Sequence, residues 1–199
     1  WLFLSQQEKT LITSKNKKFA DKTFVTANIV IPERSVHSEE FREKYGLGRK
    51  SYDILFVSRM RKEKGPFEVL RAIPLIAKKE DCLFTFVGDG PDYEELKKLA
   101  LDLKLTSYVQ FVGYIEDEEC NHFYANTDLL AFPTYFDEGF PMVLFKSVAA
   151  GIPVITTKTR AALDYLKKEE HVIWVQPKKP SEVAEAINLL LDDDTLRHK

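Results

Sequence analysis

Residues 136–151 read Phe136-Asp137-Glu138-Gly139-Phe140-Pro141-Met142-Val143-Leu144-Phe145-Lys146-Ser147-Val148-Ala149-Ala150-Gly151 and lie between two apolar runs, 128–133 and 153–157. The pattern predicts a loop, a helix and a stop between two strands. Proline suits the first helical position, because its missing N–H would be unpaired there, and glycine suits the position after the last turn. Pro141 and Gly151 are expected to hold these two places. The helix is apolar nearly all round, which predicts burial within the domain.

The chain from residue 53 onward repeats this alternation of short apolar runs and helical patterns. Continuously apolar strands that alternate with helices indicate a parallel sheet with helices on both faces. The predicted fold class is therefore α/β, a Rossmann-like, doubly wound parallel sheet. Predicted strands cover 54–57, 83–87, 108–112, 128–132, 153–156 and 172–175, and predicted helices cover 66–78, 92–103, 118–124, 161–168 and 180–191.

The first part of the chain has a less regular pattern. Runs rich in β-branched residues predict strands over 10–13 and 23–31. Residues 39–45 then predict a short helix, which Gly46 or Gly48 would close.

Composition limits the kind of protein. A length of 199 residues favours one domain with a full core, with room for an appendage. The 29 basic and 31 acidic residues nearly balance, so composition indicates no surface for a polyanion and argues against a nucleic-acid partner.

The two cysteines, Cys82 and Cys120, lie in different predicted elements and lack the spacing of a metal site. Free, buried thiols in a reducing compartment are the interpretation that this favours, which points to the cytoplasm. No run approaches the roughly 18 apolar residues of a membrane span. No signal peptide is evident, and because the chain begins with Trp we expect it to be a fragment.

The predicted helix start at Glu138 and Gly139 has two interpretations. Free N–H groups and a partial positive charge attract phosphates and hydroxyl-rich ligands to a helix N-terminus, and glycine lets a ligand approach the backbone. An ordinary capped helix with an acidic first turn explains the same residues equally well. Ligands of doubly wound sheets bind outside the carboxyl ends of the strands, where this and every other candidate motif lies.

Two segments of this chain, Glu138-Gly139-Phe140-Pro141-x-Val143 and Ala149-Ala150-Gly151-Ile152-Pro153-Val154-Ile155, resemble the donor-site signature of retaining GT-B glycosyltransferases. The group is the large class that contains bacterial polysaccharide and lipopolysaccharide transferases. The resemblance covers about residues 50–192. It implies that 51–199 form the C-terminal, nucleotide-sugar donor-binding domain without its terminal helix. Residues 1–50 would be the tail of an acceptor domain or a linker.

The loop 58–65 is basic and follows the first strong predicted strand. Arginine offers a planar fork of donors and lysine a compact charge, and both bind phosphates. A solvated charged loop is the alternative. The resemblance implies that Arg59 and Lys64 neutralise the donor diphosphate and stabilise the departing nucleotide, whereas Arg61 and Lys62 match nothing in the family and are expected to be solvated.

Other turns at the strand ends resemble family segments near the nucleotide. Gly88-Asp89-Gly90-Pro91 is interpreted first as a tight turn, with the backbone of Gly88 near the nucleotide. By resemblance, Tyr114 and Ile115 contact the nucleobase. Arg160 lies at the same predicted rim and is a further candidate for ligand contact.

Glu138 is the strongest single candidate. The resemblance implies that its carboxylate hydrogen-bonds hydroxyls of the donor sugar, helped by the backbone N–H groups of Gly139, Phe140, Met142 and Val143. A carboxylate at this place also fits chemistry in which positive charge grows at the anomeric carbon.

Lys146 is the main departure from the family, which has a second Glu at this position that accepts hydrogen bonds from the ribose. Lysine has no acceptor and cannot replace that contact. A charge in a buried helix also needs a partner. Three readings follow: the ribose is bound differently, Lys146 reaches a phosphate or an acidic partner, or the domain has lost donor binding.

The implied function is transfer of a hexosyl group, with retention, from a nucleoside-diphosphate sugar to a glycan or lipid-linked acceptor. Such an enzyme of polysaccharide biosynthesis needs no metal and no cofactor, because the nucleotide sugar is a substrate. The fragment alone would be nearly inactive, because the acceptor binds to the missing N-terminal domain. The expected location is the cytoplasm, with association at a membrane surface left open.

Two alternatives remain at the level of sequence. The first is a non-catalytic sugar-nucleotide-binding or regulatory module that has lost turnover, which Lys146 keeps open. The second is another GT-B-like activity, such as a sugar-nucleotide epimerase or a phosphorylase. The combination of Glu138 with Arg59 and Lys64 disfavours this second alternative.

Overall fold

The structure, a computed structural model, describes residues 2–26, 37–137, 139–167 and 172–198. A pair of two-residue strands, β1 (Leu2–Phe3) and β2 (Phe24–Val25), forms a small parallel ribbon. The main sheet has six parallel strands: β3 (Tyr52–Val57), β4 (Cys82–Val87), β5 (Val109–Gly113), β6 (Leu129–Phe132), β7 (Val154–Thr156) and β8 (Val172–Trp174). The helices are α1 (Gln6–Lys15), α2 (Glu39–Tyr45), α3 (Pro66–Ala72), α4 (Tyr93–Asp102), α5 (Asp117–Ala125), α6 (Met142–Ala149), α7 (Arg160–Tyr165), α8 (Pro180–Asp192) and α9 (Asp194–Arg197).

The strand order β5-β4-β3-β6-β7-β8 reverses direction between β3 and β6. From β3 the chain winds outward to β5, then returns to the far side of β3 and winds outward again to β8. This is the doubly wound α/β arrangement, so the predicted fold class is confirmed. A crevice at the carboxyl ends of β3 and β6 is the place where such sheets bind ligands.

The central strands are buried on both faces, as their continuous apolar runs indicate. Phe56 lies between Phe86 and Phe132, with ring centroids 5.4 and 5.9 Å away, and thus joins β3 to both of its neighbours. All three rings are almost completely buried. Removing apolar surface of this size from water is the main contribution to the stability of the sheet.

α6 differs from the expectation in its burial. Only Leu144 and Ser147 are buried, while its other apolar side chains are half-buried or exposed. The predicted burial within the domain is therefore only partial: one face is buried, and Val143, Phe145 and Val148 pack against the core while half-buried. Pro141 is the N-cap and not the first helical residue, and Gly151 follows the helix with a φ of 78° as expected.

One strand predicted in the first part of the chain is wrong. Residues 10–13, predicted as a strand, lie within α1. Ser5 caps this helix by accepting a hydrogen bond from the N–H of Glu8 at 3.1 Å. The hydroxyls of Thr10 and Thr13 donate to carbonyls one turn earlier, at 2.8 and 2.9 Å, so the helix satisfies these β-branched polar residues.

Further along the first part, β2 covers the described start of the run 23–31, and residues 27–31 lie outside the described residues. The predicted helix over 39–45 is confirmed as α2, and Gly46 closes it in the left-handed conformation with a φ of 63°. Glycine adopts this conformation without the clash that a Cβ would cause. No helix in the described part of the chain is long and apolar enough to cross a membrane.

A buried carboxyl group lies at the amino end of β3. Asp53 accepts a hydrogen bond from the N–H of Gly48 at 2.7 Å, and a guanidinium nitrogen of Arg42 is 3.6 Å from the same oxygen. Burial, helped by the negative charge of Asp128, raises the pKa of Asp53 from 3.8 to about 6, although the Gly48 N–H and the charge of Arg42 oppose the rise. The charged form is therefore disfavoured in the folded protein.

We expect Asp53→Asn to stabilise the domain above pH 6. The folded protein binds the proton of Asp53 more tightly than the unfolded chain, so this contribution to stability is complete below pH 3.8 and is lost as pH rises through about 6. Asparagine remains neutral, and the variant should exceed the wild type by up to about 2–3 kcal/mol at pH 7.5 and match it near pH 4. Urea unfolding at both pH values measures the difference, and parallel pH profiles would contradict the expectation.

Candidate functional site

The loops that follow β3 and β6 meet at the point where the strand order reverses. The main-chain carbonyl of Glu63, in the loop after β3, accepts hydrogen bonds from the N–H groups of Tyr135 and Phe136 at 2.8 and 3.0 Å. It also accepts one from the hydroxyl of Thr134 at 3.1 Å. The fold thus brings together the basic loop 58–65 and the loop 133–141, which the sequence predicts to form one site.

The two predicted phosphate-binding residues are on this first loop. The Nζ of Lys64 lies 4.3 Å from the ring centroid of Phe136, so its charge is next to the loop that contains Glu138. Arg59 is exposed, and no ion-pair partner for it is found among the described residues. Arg61 pairs with Glu63 at 3.0 Å and Lys62 with Glu95 at 3.1 Å, so both are held by neighbouring carboxylates.

Glycines at the rim allow neighbouring loops to cross in close contact. A Cβ on Gly88, which has a φ of 119°, would lie 2.0 Å from the carbonyl oxygen of Ser58. A Cβ on Gly90 would lie 2.5 Å from the oxygen of Met60. Both glycines are therefore required by the packing of the turn after β4 against the loop after β3, which supports the interpretation of Gly88 as a turn residue.

Gly139 has a different environment. Among the residues that the structure describes, no atom lies within 4 Å of the position that its Cβ would occupy. The packing of the described residues therefore does not require a glycine there, and the backbone faces open space. A ligand could approach this segment of main chain without moving the protein.

At the end of β5, Tyr114 has 70% of its surface exposed. Its hydroxyl donates a hydrogen bond to a carboxylate oxygen of Glu116 at 3.3 Å. Ile115 is half-buried and packs against the core. The N–H of Gly88 donates to the carbonyl of Gly113 at 2.7 Å, so the ends of β4 and β5 are side by side at the same rim. Contact of Tyr114 and Ile115 with a nucleobase stays a prediction.

The start of α6 is supported by an aromatic cluster. The ring of Phe140 stacks on Phe145 with centroids 4.1 Å apart, and both rings contact Tyr165 of α7 edge-on. Met142 and Val143 form the first turn of α6 directly after this cluster. Glu138 lies outside the described residues, so its position is not assigned and its role stays a prediction.

Lys146 points from α6 towards α5. Its Nζ donates a hydrogen bond to Oδ1 of Asn121, which is buried, at 2.8 Å. In the described part of the chain, the hydrogen-bond partner of Lys146 is therefore a neutral amide. One interpretation of the sequence had predicted an acidic side chain instead. A contact of Lys146 with a ribose or a phosphate stays a prediction.

Two side-chain links between the segments after β6 and β7 were not predicted from the sequence. They join Thr157 to Thr134 and Arg160 to Asp137. Thr134 is completely buried, and its carbonyl accepts a hydrogen bond from the hydroxyl of Thr157. Arg160, considered above as a ligand contact, forms a two-pronged ion pair with Asp137. Polar residues directly after buried strands are the signal that could have indicated these links.

A cavity of about 450 Å³ lies between α2 and the start of α5. Its lining includes Glu40, Glu118 and His122 but none of the predicted site residues. Among the described residues, no group of three or more His, Cys, Asp or Glu side chains could hold a metal ion.

We expect Thr134→Val to separate the two loops in part. Valine has a similar shape but cannot donate to the Glu63 carbonyl or accept from the N–H of Phe136, which the hydroxyl of Thr134 does at 3.1 and 3.2 Å. Losing this buried hydroxyl should cost about 1–2 kcal/mol in the free energy of unfolding, measured in urea. Thr134→Ser keeps the hydroxyl and is the control. Equal stability of the valine and serine variants would contradict this role.

The sequence matches the protein family described as glycosyl transferases group 1 over residues 37–199. Among curated proteins, it is 29% identical over 153 residues to an uncharacterized glycosyltransferase of Methanocaldococcus jannaschii, covering 77% of this chain and 39% of that protein. It is 30% identical over 163 residues to the GDP-mannose-dependent α-(1-6)-phosphatidylinositol monomannoside mannosyltransferase of Mycobacterium tuberculosis, covering 78% and 42%. The chain thus spans about two fifths of the length of these relatives.

Solved structures agree with the fold. The chain superposes on Anabaena HepE in complex with UDP with a TM-score of 0.87 at 22% identity, covering 99% of this chain and 55% of that one. It superposes on the C-terminal domain of a group 1 glycosyl transferase, LpcC of Francisella tularensis, with a TM-score of 0.74 at 25% identity, covering 86% and 92%. With its doubly wound sheet and a family match over most of its length, the chain belongs to the glycosyl transferases group 1 family.

Proposed function

We propose that this chain is the donor-binding half of a retaining glycosyltransferase. It would bind a nucleoside-diphosphate sugar and present its hexosyl group to a glycan or lipid-linked acceptor held by an N-terminal domain. One observation carries the proposal: the Glu63 carbonyl holds the basic loop 58–65 against the loop 133–141 at the switch point of the sheet.

In this proposal, Arg59 and Lys64 bind the diphosphate and stabilise it as it departs. An exposed guanidinium and an ammonium on the loop at the carboxyl end of β3 suit this role, since both groups bind phosphates. Glu138 and the backbone at the start of α6 bind the sugar hydroxyls. The open space beside Gly139 supports this arrangement.

The relatives support the reaction class and differ in their donors. One is a GDP-mannose-dependent transferase, another is an α-D-kanosaminyltransferase of Streptomyces kanamyceticus, and HepE is known with UDP-glucose. We therefore assign no base or sugar to this chain. The likeness to the isolated LpcC domain supports the division into a donor domain, 51–199, preceded by a segment of the acceptor domain or a linker. The proposed reaction is metal-independent and cytoplasmic.

A non-catalytic sugar-nucleotide-binding module is the second candidate. Lys146 favours it, because the ammonium is bonded to Asn121 at the position where the family has a carboxylate. A lysine cannot accept the ribose hydrogen bonds of that carboxylate. The two candidates differ in whether the domain, combined with a complete acceptor domain, turns over its donor.

We expect one of UDP, GDP and ADP to raise the melting temperature of this domain. A ligand at 100 times its dissociation constant stabilises a fold by about 2.7 kcal/mol, which a thermal-shift assay detects, and calorimetry then gives the affinity. Arg59→Ala should abolish binding of the nucleotide. Glu138→Ala should lower the affinity for the nucleotide sugar and leave the affinity for the free nucleotide unchanged, because the carboxylate is proposed to bind the sugar.

Arg61→Ala is the matched control for this experiment. It removes the same charge from the same loop, but its guanidinium is already held by Glu63. Equal losses of nucleotide affinity in Arg59→Ala and Arg61→Ala would show that only the net charge of the loop matters, and would contradict a specific role of Arg59. Failure of all three nucleotides to bind at millimolar concentration would contradict the proposed function.

We expect Gly139→Ala to weaken binding of the nucleotide sugar without lowering stability. The added methyl group meets no described protein atom, so only a ligand at the backbone can oppose it. Gly90→Ala is the contrasting variant, because its methyl group would meet the backbone of Met60 and should lower the melting temperature. Undiminished affinity of Gly139→Ala for the sugar nucleotide would exclude a ligand at this segment.

A further inference from the structure

Lys178, in the loop after β8, has a left-handed backbone with a φ of 58°. Non-glycine residues rarely adopt this conformation, because the Cβ approaches the following carbonyl oxygen. Among the described residues one other non-glycine residue does so, Lys104, with a φ of 57°. A lysine at such a place costs stability relative to glycine unless its side chain makes a compensating contact.

The side chain of Lys178 makes such a contact. Its Nζ lies 4.7 Å from the ring centroid of Tyr135, within the range of a cation–π interaction. The N–H of Tyr135 is one of the donors to the Glu63 carbonyl, so Lys178 contacts the loop 133–141 at the residue that joins it to the loop after β3. The loop of Lys178 is itself held where the N–H of Gln176 donates to Glu182 at 2.7 Å.

A buried carboxyl group completes this cluster. Glu68 of α3 is 6% exposed, and one of its carboxylate oxygens has no hydrogen-bond partner in the described structure. Burial raises its pKa, while the positive charges of Arg71 and Lys178 oppose the rise. Glu68 in turn helps burial to raise the pKa of the Tyr135 hydroxyl. Lys178 therefore lies over the ring of Tyr135, and its charge favours the ionised form of the buried Glu68 carboxyl.

We propose that Lys178 is a positioning residue for the loop 133–141. Its ammonium, over the ring of Tyr135, holds residues 133–137 in the arrangement that places the backbone of Gly139 beside the nucleotide sugar. The inference rests on the proposed function and deepens it by extending the donor site to the loop after β8. A turn that served only to reverse the chain would be better made by glycine.

The test compares Lys178→Gly with Lys104→Gly. Both variants remove an exposed lysine and relieve the same left-handed strain, but Lys104 lies after α4. We expect both to melt at or above the temperature of the wild type. Lys178→Gly alone should weaken binding of the nucleotide sugar, by about three- to fivefold for one cation–π contact. Lys178→Arg keeps the cation and should restore the affinity.

Amide hydrogen exchange of residues 133–141 provides a readout without nucleotide. Lys178→Gly should exchange about three times faster at Tyr135 and Phe136, while Lys104→Gly and Lys178→Arg should match the wild type. Unchanged exchange in Lys178→Gly, or equal loss of affinity in Lys104→Gly, would overturn the positioning role. A wild-type domain that binds no nucleotide sugar would instead contradict the proposed function. Because the exchange experiment needs no nucleotide, it tests the positioning role independently of that function.

Discussion

The main-chain carbonyl of Glu63 is the acceptor on which the candidate site depends. It accepts hydrogen bonds from two N–H groups and one hydroxyl of the loop after β6. A carbonyl oxygen has two lone pairs, so these three donors use its full acceptor capacity. These bonds join loops that follow adjacent strands at the switch point of the sheet. The bonds are made by main chain and by the buried hydroxyl of Thr134, so the link between the loops does not use the exposed side chain of Arg59.

The rim is built from backbone packed on backbone. Gly65, Gly88 and Gly90 lie where a Cβ would meet the main chain of a neighbouring loop. Gly139 lies at the same rim, and in the described part of the chain no atom lies within 4 Å of where its Cβ would be. Glycine thus has two different roles at this rim. Three glycines allow neighbouring loops to pack closely, and the fourth leaves the backbone at the start of α6 open. This contrast separates scaffold from candidate contact surface.

Further links extend the same loop towards the other edge of the sheet. Asp137 pairs with Arg160 after β7, and Tyr135 lies beneath the ammonium of Lys178 after β8. Residues 134–137 are therefore held by contacts with residues that follow β3, β7 and β8. Such redundancy suits a site that must keep a fixed geometry, since positioning of reacting groups accounts for much of enzymatic rate enhancement.

The fold class and the places of the candidate loops could be predicted from the sequence, because apolar runs and the proline and glycine signals around residues 136–151 are local properties. It missed the helix over 10–13, where a cap at Ser5 and threonine hydroxyls outweigh β-branched propensity. The sequence did not predict three contacts that the folded chain makes: Glu63 with the loop after β6, Lys146 with Asn121, and Lys178 with Tyr135. These contacts join residues far apart in the chain, and strand order together with the packing of helices and loops brings them within bonding distance.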